Sequence, residues 1–192
     1  MARVDFLGTG NAFCPSGRMH ALAILDGKIL VDAPPTLLAQ MRRSNFSTGQ
    51  VEHILFTHWH GDHTFGFPFL ILDRKYITDT TADKILALHH RPGGREHLTS
   101  LSKLGFPGSL EDFLESRIFW NDEESGILEG TEWSYERFPV RHTPETDPHG
   151  YEFVHQSGFR LLHCGDSGPC SEIDSRAKDA DVVLLEMGMP DI

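Results

Sequence analysis

The six residues 58–63, HWHGDH in one-letter code, constrain this chain more than any other part of its sequence. They follow the short apolar run 53–57, which is typical of a buried β-strand. Successive side chains of a strand alternate between its two faces, so His58 and His60 leave the strand end on the same side. Both imidazoles can therefore face one metal ion.

The residues that follow add further ligands close by. Gly61 lets the backbone turn sharply, and Asp62 and His63 then come round from the turn. Three imidazoles and a carboxylate within six residues suit zinc or a similar borderline cation. The pattern therefore predicts a metal site at the end of a buried strand.

Length, charge and cysteine content narrow the class of protein. The chain has 192 residues, 39% of them hydrophobic, which suits one folded domain. Seventeen Lys and Arg against 28 Asp and Glu give a net charge of −11, which disfavours binding of a polyanion along a broad surface. Three cysteines without a CxxC pair argue against a disulfide framework and a thiolate zinc site. No apolar segment approaches about 18 residues and no leader is recognised, so we expect a soluble, cytoplasmic protein with no membrane partner.

Strands and helices interleave along the sequence, which predicts an α/β or α+β fold. An Asp-Gly pair at 26–27 predicts a hairpin, and we expect residues 65–72 to be helical or irregular, broken by Pro68. Residues 112–120 are ambiguous. The strands are predicted at 3–8, 21–25, 28–32, 53–57, 85–89, 133–140, 150–155, 159–163 and 181–186, and helices at 34–44 and 96–104.

The hexapeptide resembles the HxHxDH motif of the metallo-β-lactamase-fold hydrolases. The flanking residues agree, namely 6–10 (FLGTG), 30–32 (LVD) and Thr57, and together they are most similar to the ribonuclease Z and cyclic-phosphodiesterase branch. The resemblance covers most of 3–72 and 133–188. It implies a four-layer αββα sandwich that forms a single hydrolase domain over residues 1–192.

The resemblance also implies two further ligands, each after a downstream strand. A third histidine would be His142, and a bridging aspartate in a Gly-Asp pair would be Asp166. Two zinc ions are implied, with manganese or iron as alternatives. One ion would be held by His58, His60 and His142, and the other by Asp62 and His63, with Asp166 bridging the two.

The implied reaction is hydrolysis by a metal-bound hydroxide that Asp62 orients or deprotonates. A phosphodiester is the favoured substrate of this branch. Hydrolysis of a lactone, thioester or sulfate ester remains an alternative, and so does a metal-binding sensor or scaffold without catalysis.

The expected partner is a small anionic ester. Ribonuclease Z proteins carry a tRNA-grasping arm between the third histidine and the bridging aspartate, whereas only 23 residues separate His142 from Asp166 here. Long nucleic acid is therefore disfavoured, and a homo-oligomer stays open. We expect the remaining histidines to be ordinary and partly exposed, at positions 53, 89, 90, 97 and 155.

The family normally supplies one more histidine, beyond a strand that follows the bridging aspartate. Here 181–186 is the candidate strand and 187–190 the candidate loop, and no histidine follows His163. We therefore expect a domain that lacks its C-terminal elements, with an incomplete second metal site. The alternatives are that another subunit completes this site or that only the first metal is held firmly.

Overall fold

A computed structural model describes residues 1–81 and 83–186, which form eleven β-strands and six α-helices. These residues divide into two compact units. The six-stranded unit comprises Arg3–Phe56 and His60–Asp122, and the five-stranded unit comprises Met1–Ala2, Thr57–Trp59 and the chain from Glu123 onward. The predicted mixture of strands and helices is confirmed.

The sheet of the six-stranded unit runs in chain order from one edge to the other. Its first three strands are antiparallel, and its third to sixth are parallel. The predicted hairpin is confirmed, because Asp26 and Gly27 both have positive φ, at 49° and 71°, as its two-residue turn requires. The strands are β1 Val4–Gly8, β2 Leu22–Leu25, β3 Ile29–Val31, β4 His53–Leu55, β5 Leu86–His89 and β6 Ile118–Asn121.

Five helices belong to this unit: α1 Leu37–Arg43, α2 Gly61–Thr64, α3 Phe67–Asp73, α4 Gly94–Gly105 and α5 Glu111–Ser116. The expectation that Pro68 interrupts the apolar segment 65–72 is wrong, because α3 includes this proline. Pro68 lies in the first turn of α3, where a missing N–H leaves no helical hydrogen bond unmade. Strands β2, β3 and β4 are buried at every residue, as expected where both faces of a sheet are covered.

The five-stranded unit has the strand order β11-β10-β9-β8-β7 and is antiparallel except for the parallel pair β10–β11. Helix α6, Ser171–Arg176, lies in the β10–β11 crossover, and its Ile173 packs with Phe138, Leu162 and Cys164. The sequence indicates neither β7 nor α6, since both are short and polar. The loop predicted at 187–190 lies outside the described residues. The strands are β7 Ser125–Ile127, β8 Trp133–Pro139, β9 His149–His155, β10 Arg160–His163 and β11 Val182–Leu184.

The expectation of partly exposed histidines is wrong at positions 53, 89, 90 and 155, which are buried. His89 shows how burial is tolerated. Its Nε2 lies 3.0 Å from Nδ1 of His53, and its Nδ1 lies 3.1 Å from the amide nitrogen of Asn121. Burial, together with the nearby His53 and His90, lowers the pKa of His89 to about 3, so the ring stays neutral.

In the described ranges, no helix combines the length with the apolar character that crossing a bilayer requires.

Candidate metal centre

Three of the predicted ligands converge within the five-stranded unit. Nε2 of His58 lies 3.8 Å from Oδ2 of Asp166, and Nε2 of His142 lies 4.0 Å from the same oxygen. The two imidazole rings meet edge to face, with centroids 5.0 Å apart. His58 is buried, whereas His142 and Asp166 are partly exposed. The three side chains therefore surround one point that opens toward solvent.

Backbone contacts place His58 beside the other two ligands. The peptide N–H of His149 donates to the carbonyl of Thr57 at 3.0 Å, and the N–H of Trp59 donates to the carbonyl of Thr146 at 3.1 Å. The segment that carries His58 is thereby attached to the loop between β8 and β9. Oγ1 of Thr57 lies 3.0 Å from Nδ1 of His58, which leaves Nε2 as the nitrogen that faces Asp166.

The loops that carry His142 and Asp166 are joined directly. The N–H of Gly168 donates to the carbonyl of Arg141 at 2.8 Å, and the N–H of Arg141 donates to Oγ of Ser167 at 3.2 Å. Gly165 has φ +59°, and a Cβ there would lie 3.1 Å from Cβ of Thr57. A glycine immediately before Asp166 is therefore required by both backbone conformation and close packing.

A second group lies within the six-stranded unit. Nε2 of His63 lies 3.4 Å from Oδ2 of Asp62, and Nδ1 of His63 lies 2.8 Å from Oδ2 of Asp32. Asp32 and His63 are buried, and Asp62 is partly exposed. Nδ1 of His63 faces the Asp32 carboxylate and donates its hydrogen there, which leaves Nε2 on the side of Asp62.

Helix α2 brings Asp62 and His63 out of the motif within one turn. His60 is its N-cap, and the carbonyl of His60 accepts from the N–H of His63 at 3.1 Å and from Oγ1 of Thr64 at 2.9 Å. The helix packs on the segment after β3, where the N–H of Ala33 donates to the carbonyl of His63 at 2.7 Å. This contact holds His63 against Asp32.

The sequence does not indicate the orienting role of Asp32, although this residue belongs to the 30–32 segment that carries the family resemblance. An acidic residue directly after a buried strand was the available signal. Its partner could not be inferred locally, because β3 and β4 must first pair in parallel before Asp32 and the motif meet. Asp32 also has φ +66°, a left-handed conformation that Asp and Asn tolerate better than most residues.

The spacing of these side chains fits a divalent cation. Ligand atoms about 2.0–2.2 Å from a tetrahedral zinc lie roughly 3.4 Å from one another. The 3.4 Å between His63 and Asp62 matches that spacing, and the 3.8 and 4.0 Å around Asp166 require only slight closure. Nitrogen and carboxylate ligands without thiolate are the set that zinc shares with manganese and iron.

Two further side chains near these loops, the His149 imidazole and the Cys164 thiol, have other roles. His149 is a buried residue whose Nδ1–H donates to the carbonyl of Asp147 and whose Nε2 accepts from the Tyr151 hydroxyl, at 3.2 and 3.0 Å. Burial raises the pKa of the Cys164 thiol to about 11, with a smaller contribution from Cys170. The Cys164 thiol therefore stays protonated and is no nucleophile at neutral pH.

The family model described as "Beta-lactamase superfamily domain" matches residues 28–191. Ribonuclease Z of Haloferax volcanii is 36% identical over 106 residues, which are 54% of this chain and 32% of that protein. Ribonuclease Z of Oenococcus oeni is 27% identical over 205 residues, which are 97% of this chain and 60% of that protein. This chain thus spans less than two thirds of the length of these two relatives.

The fold is likewise similar to that of a solved structure, human tRNase Z, short form. The TM-score is 0.70 at 24% identity, and the match covers 95% of this chain and 76% of that one. Because the family model covers most of the chain and the fold agrees, the chain belongs to the beta-lactamase superfamily, in the ribonuclease Z-like branch of the metallo-β-lactamase fold.

Proposed function

We propose that this chain is a metal-dependent hydrolase that cleaves a phosphodiester. The observation that carries the proposal is the convergence of His58, His142 and Asp166 on one partly exposed point. Three residues from three distant parts of the sequence meet there, and the ribonuclease Z relatives, named for a nuclease activity, supply the reaction class.

The proposed ligand sets follow the motif. His60 stands two residues after His58, so one ion would be held by His58, His60 and His142. Asp62 and His63 would hold the second ion, and Asp166 would bridge. We propose zinc for both positions, because imidazole and carboxylate are its usual ligands without cysteine. When bound, the ions supply Lewis-acid stabilisation of a developing negative charge and acidify water.

Asp62, Asp32 and Thr57 each have a separate role in the proposed reaction. Asp62 is partly exposed and next to His63, so its carboxylate can orient an attacking water and accept its proton. Asp32 holds His63 in one orientation through the 2.8 Å hydrogen bond, which a productive arrangement needs before substrate arrives. Thr57 does the same for His58. Both orienting residues lie behind the ligands and are buried.

The proposed substrate is small and anionic. Residues 143–165, between the last two ligands, contain the strands β9 and β10 and their connections, with no inserted arm. The alternative is a hydrolase of the same fold that acts on a carboxylic lactone, a thioester or a sulfate ester. A phosphodiester is preferred because it is the bond that the ribonuclease Z relatives are named for cleaving.

A substrate panel on metal-loaded protein tests the proposal. We expect turnover of bis-p-nitrophenyl phosphate that a chelator abolishes and that zinc or manganese restores. Metal content is measured on the same preparation by mass spectrometry. Faster turnover of a lactone, a thioester or a sulfate ester would replace the phosphodiester by that substrate class.

A pair of matched variants distinguishes turnover by this protein from turnover by a contaminating hydrolase. His142→Gln removes one ligand of the convergent group, whereas His149→Gln changes a neighbouring histidine that is satisfied by Asp147 and Tyr151. Only the first change should lower both metal content and turnover strongly. Full metal loading without turnover of any ester would favour a non-catalytic metal-binding protein.

A further inference from the structure

A cleft of about 280 Å³ lies in the six-stranded unit, and its lining residues include none of the candidate metal ligands. One wall is the loop between β1 and β2, which contributes Thr9 and Arg18. The other wall is the last turn of α1, which contributes Gln40, Arg43 and Ser44.

Close contacts hold the two walls together. The side chain of Gln40, which is 1% exposed, donates from Nε2 to the carbonyl of His20 at 2.7 Å and accepts from Thr36 at 2.8 Å. A Cβ at Gly8 would lie 2.2 Å from Nε2 of Gln40 and from the carbonyl oxygen of His20, so only glycine fits. The N–H of Gly10 also donates to the carbonyl of Met19 at 2.7 Å. These contacts fix the β1–β2 loop against α1 and therefore fix the shape of the cleft.

The two arginines of the cleft differ from their neighbour on α1. Arg42 pairs with Asp73 at 2.7 Å. Neither Arg18 nor Arg43, both exposed, forms an ion pair with any residue in 1–81 or 83–186. Two arginine residues without a carboxylate partner in the described chain thus line one concave surface.

This arrangement runs against the charge of the molecule as a whole. Residues 123–192 carry five Lys and Arg against fifteen Asp and Glu, whereas residues 1–122 carry twelve against thirteen. The acidic excess therefore belongs to the second part of the sequence, and the cleft belongs to the nearly neutral first part. Unpaired arginines in such a setting attract anions.

We propose that this cleft binds a phosphate group. The planar, permanently charged guanidinium donates two parallel hydrogen bonds to phosphate oxygens, and the hydroxyls of Thr9 and Ser44 offer further donors. Helix α1 begins five residues after Asp32, and the cleft lies at its opposite end, about 10 Å farther along. The site is therefore separate from the Asp62–His63 group of the same unit.

Two sources of phosphate share this chemistry. If the proposed phosphodiesterase function holds, on which this part rests, the phosphate belongs to the substrate as a second phosphate beyond the one that is hydrolysed. Otherwise it is free inorganic phosphate.

The first experiment measures phosphate binding itself and needs no activity. The holoprotein is titrated with inorganic phosphate at low salt, and the melting temperature is recorded for wild type, for the double variant Arg18→Gln/Arg43→Gln, and for Arg42→Gln. We expect the double variant to bind phosphate at least about tenfold more weakly, since each lost hydrogen bond was to a charged group. Arg42→Gln makes a matched charge change on the same helix and should keep wild-type affinity. Phosphate bound at the metal centre contributes equally to all three proteins and cancels.

The second experiment identifies the source. KM is compared for a dinucleotide with and without a 5′-phosphate. A substrate-borne phosphate predicts a KM about tenfold lower for the phosphorylated dinucleotide in wild type, and a ratio near one in the double variant. A free phosphate predicts a ratio near one in both proteins, with the arginine-dependent binding retained.

Equal phosphate affinity in wild type and in a folded double variant would overturn the proposal, as would affinity that falls equally in Arg42→Gln. Circular dichroism of each variant establishes that it is folded. If no ester is hydrolysed, the proposed function fails, whereas the phosphate titration still decides the cleft.

Discussion

The buried histidine pair His53–His89 makes the stability of this protein sensitive to mild acid. The amide nitrogen of Asn121 can only donate, so Nδ1 of His89 must accept, and the single proton of neutral His89 lies on Nε2, facing Nδ1 of His53. A second proton on His89 would face the Asn121 amide donor. Burial and this hydrogen-bond chain both favour the neutral ring.

The magnitude follows from the pKa of His89, which is about 3 in the folded chain against an ordinary value of 6.5. The unfolded chain binds a proton between these two values and the folded chain does not, so stability is full above pH 6.5 and is lost as the pH falls toward 3. The complete effect is about 5 kcal/mol, of which about 2 kcal/mol is lost between pH 7 and pH 5.

Urea unfolding, followed by circular dichroism in the presence of a chelator, measures this loss at pH 7 and pH 5. We expect acidification to destabilise wild type by about 2 kcal/mol more than His89→Gln, which cannot take up the proton. Asn121→Asp replaces the amide donor by an acceptor for an Nδ1 proton, so it should reduce the acid sensitivity while keeping the histidine. An identical pH dependence in wild type and His89→Gln would refute the reasoning.

Three shorter predictions concern the metal centre and the core. Asp62→Asn should lower turnover at least about 100-fold with an unchanged circular dichroism spectrum, because the amide accepts no proton; near-native turnover would make Asp62 structural. Asp32→Asn keeps an acceptor for His63 and suits the positive φ, yet removes the charge, so zinc affinity measured by competition with a chelator should fall by about 10–100-fold; unchanged affinity would contradict an orienting carboxylate. Gly150→Ala should destabilise the chain by about 1–3 kcal/mol in urea, because the new Cβ would lie 2.4 Å from the Phe138 ring; a neutral effect would mean that this ring moves freely.

The elements that could be predicted from the sequence are those that depend on local residue patterns. The strand before the motif and the hairpin at Asp26-Gly27 each follow from a few neighbouring residues. The strand predicted over 53–57 is confirmed as β4, although it ends earlier, at Leu55. His142 and Asp166 required the family resemblance, because nothing in their own neighbourhood distinguishes a ligand from a surface residue.

Features that depend on tertiary contacts were beyond the sequence. The burial of His53 and His89 becomes favourable only when β4, β5 and β6 align and Asn121 reaches the ring. The cleft at Arg18 and Arg43 likewise exists only once Gln40 joins the β1–β2 loop to α1. No periodic pattern in the sequence predicts the buried histidine pair or the cleft.

The attachment of the Thr57–Trp59 segment to the β8–β9 loop has a kinetic consequence. Strands β8, β9 and β10 form an antiparallel meander with short connections, so the loops that carry His142 and Asp166 meet through contacts that are local in sequence. His58 precedes His142 by 84 positions, and its arrival requires closure of a much longer loop. During refolding, His142 and Asp166 should therefore come together before His58 reaches them, and tight metal binding at this point should appear only with that later, slower step.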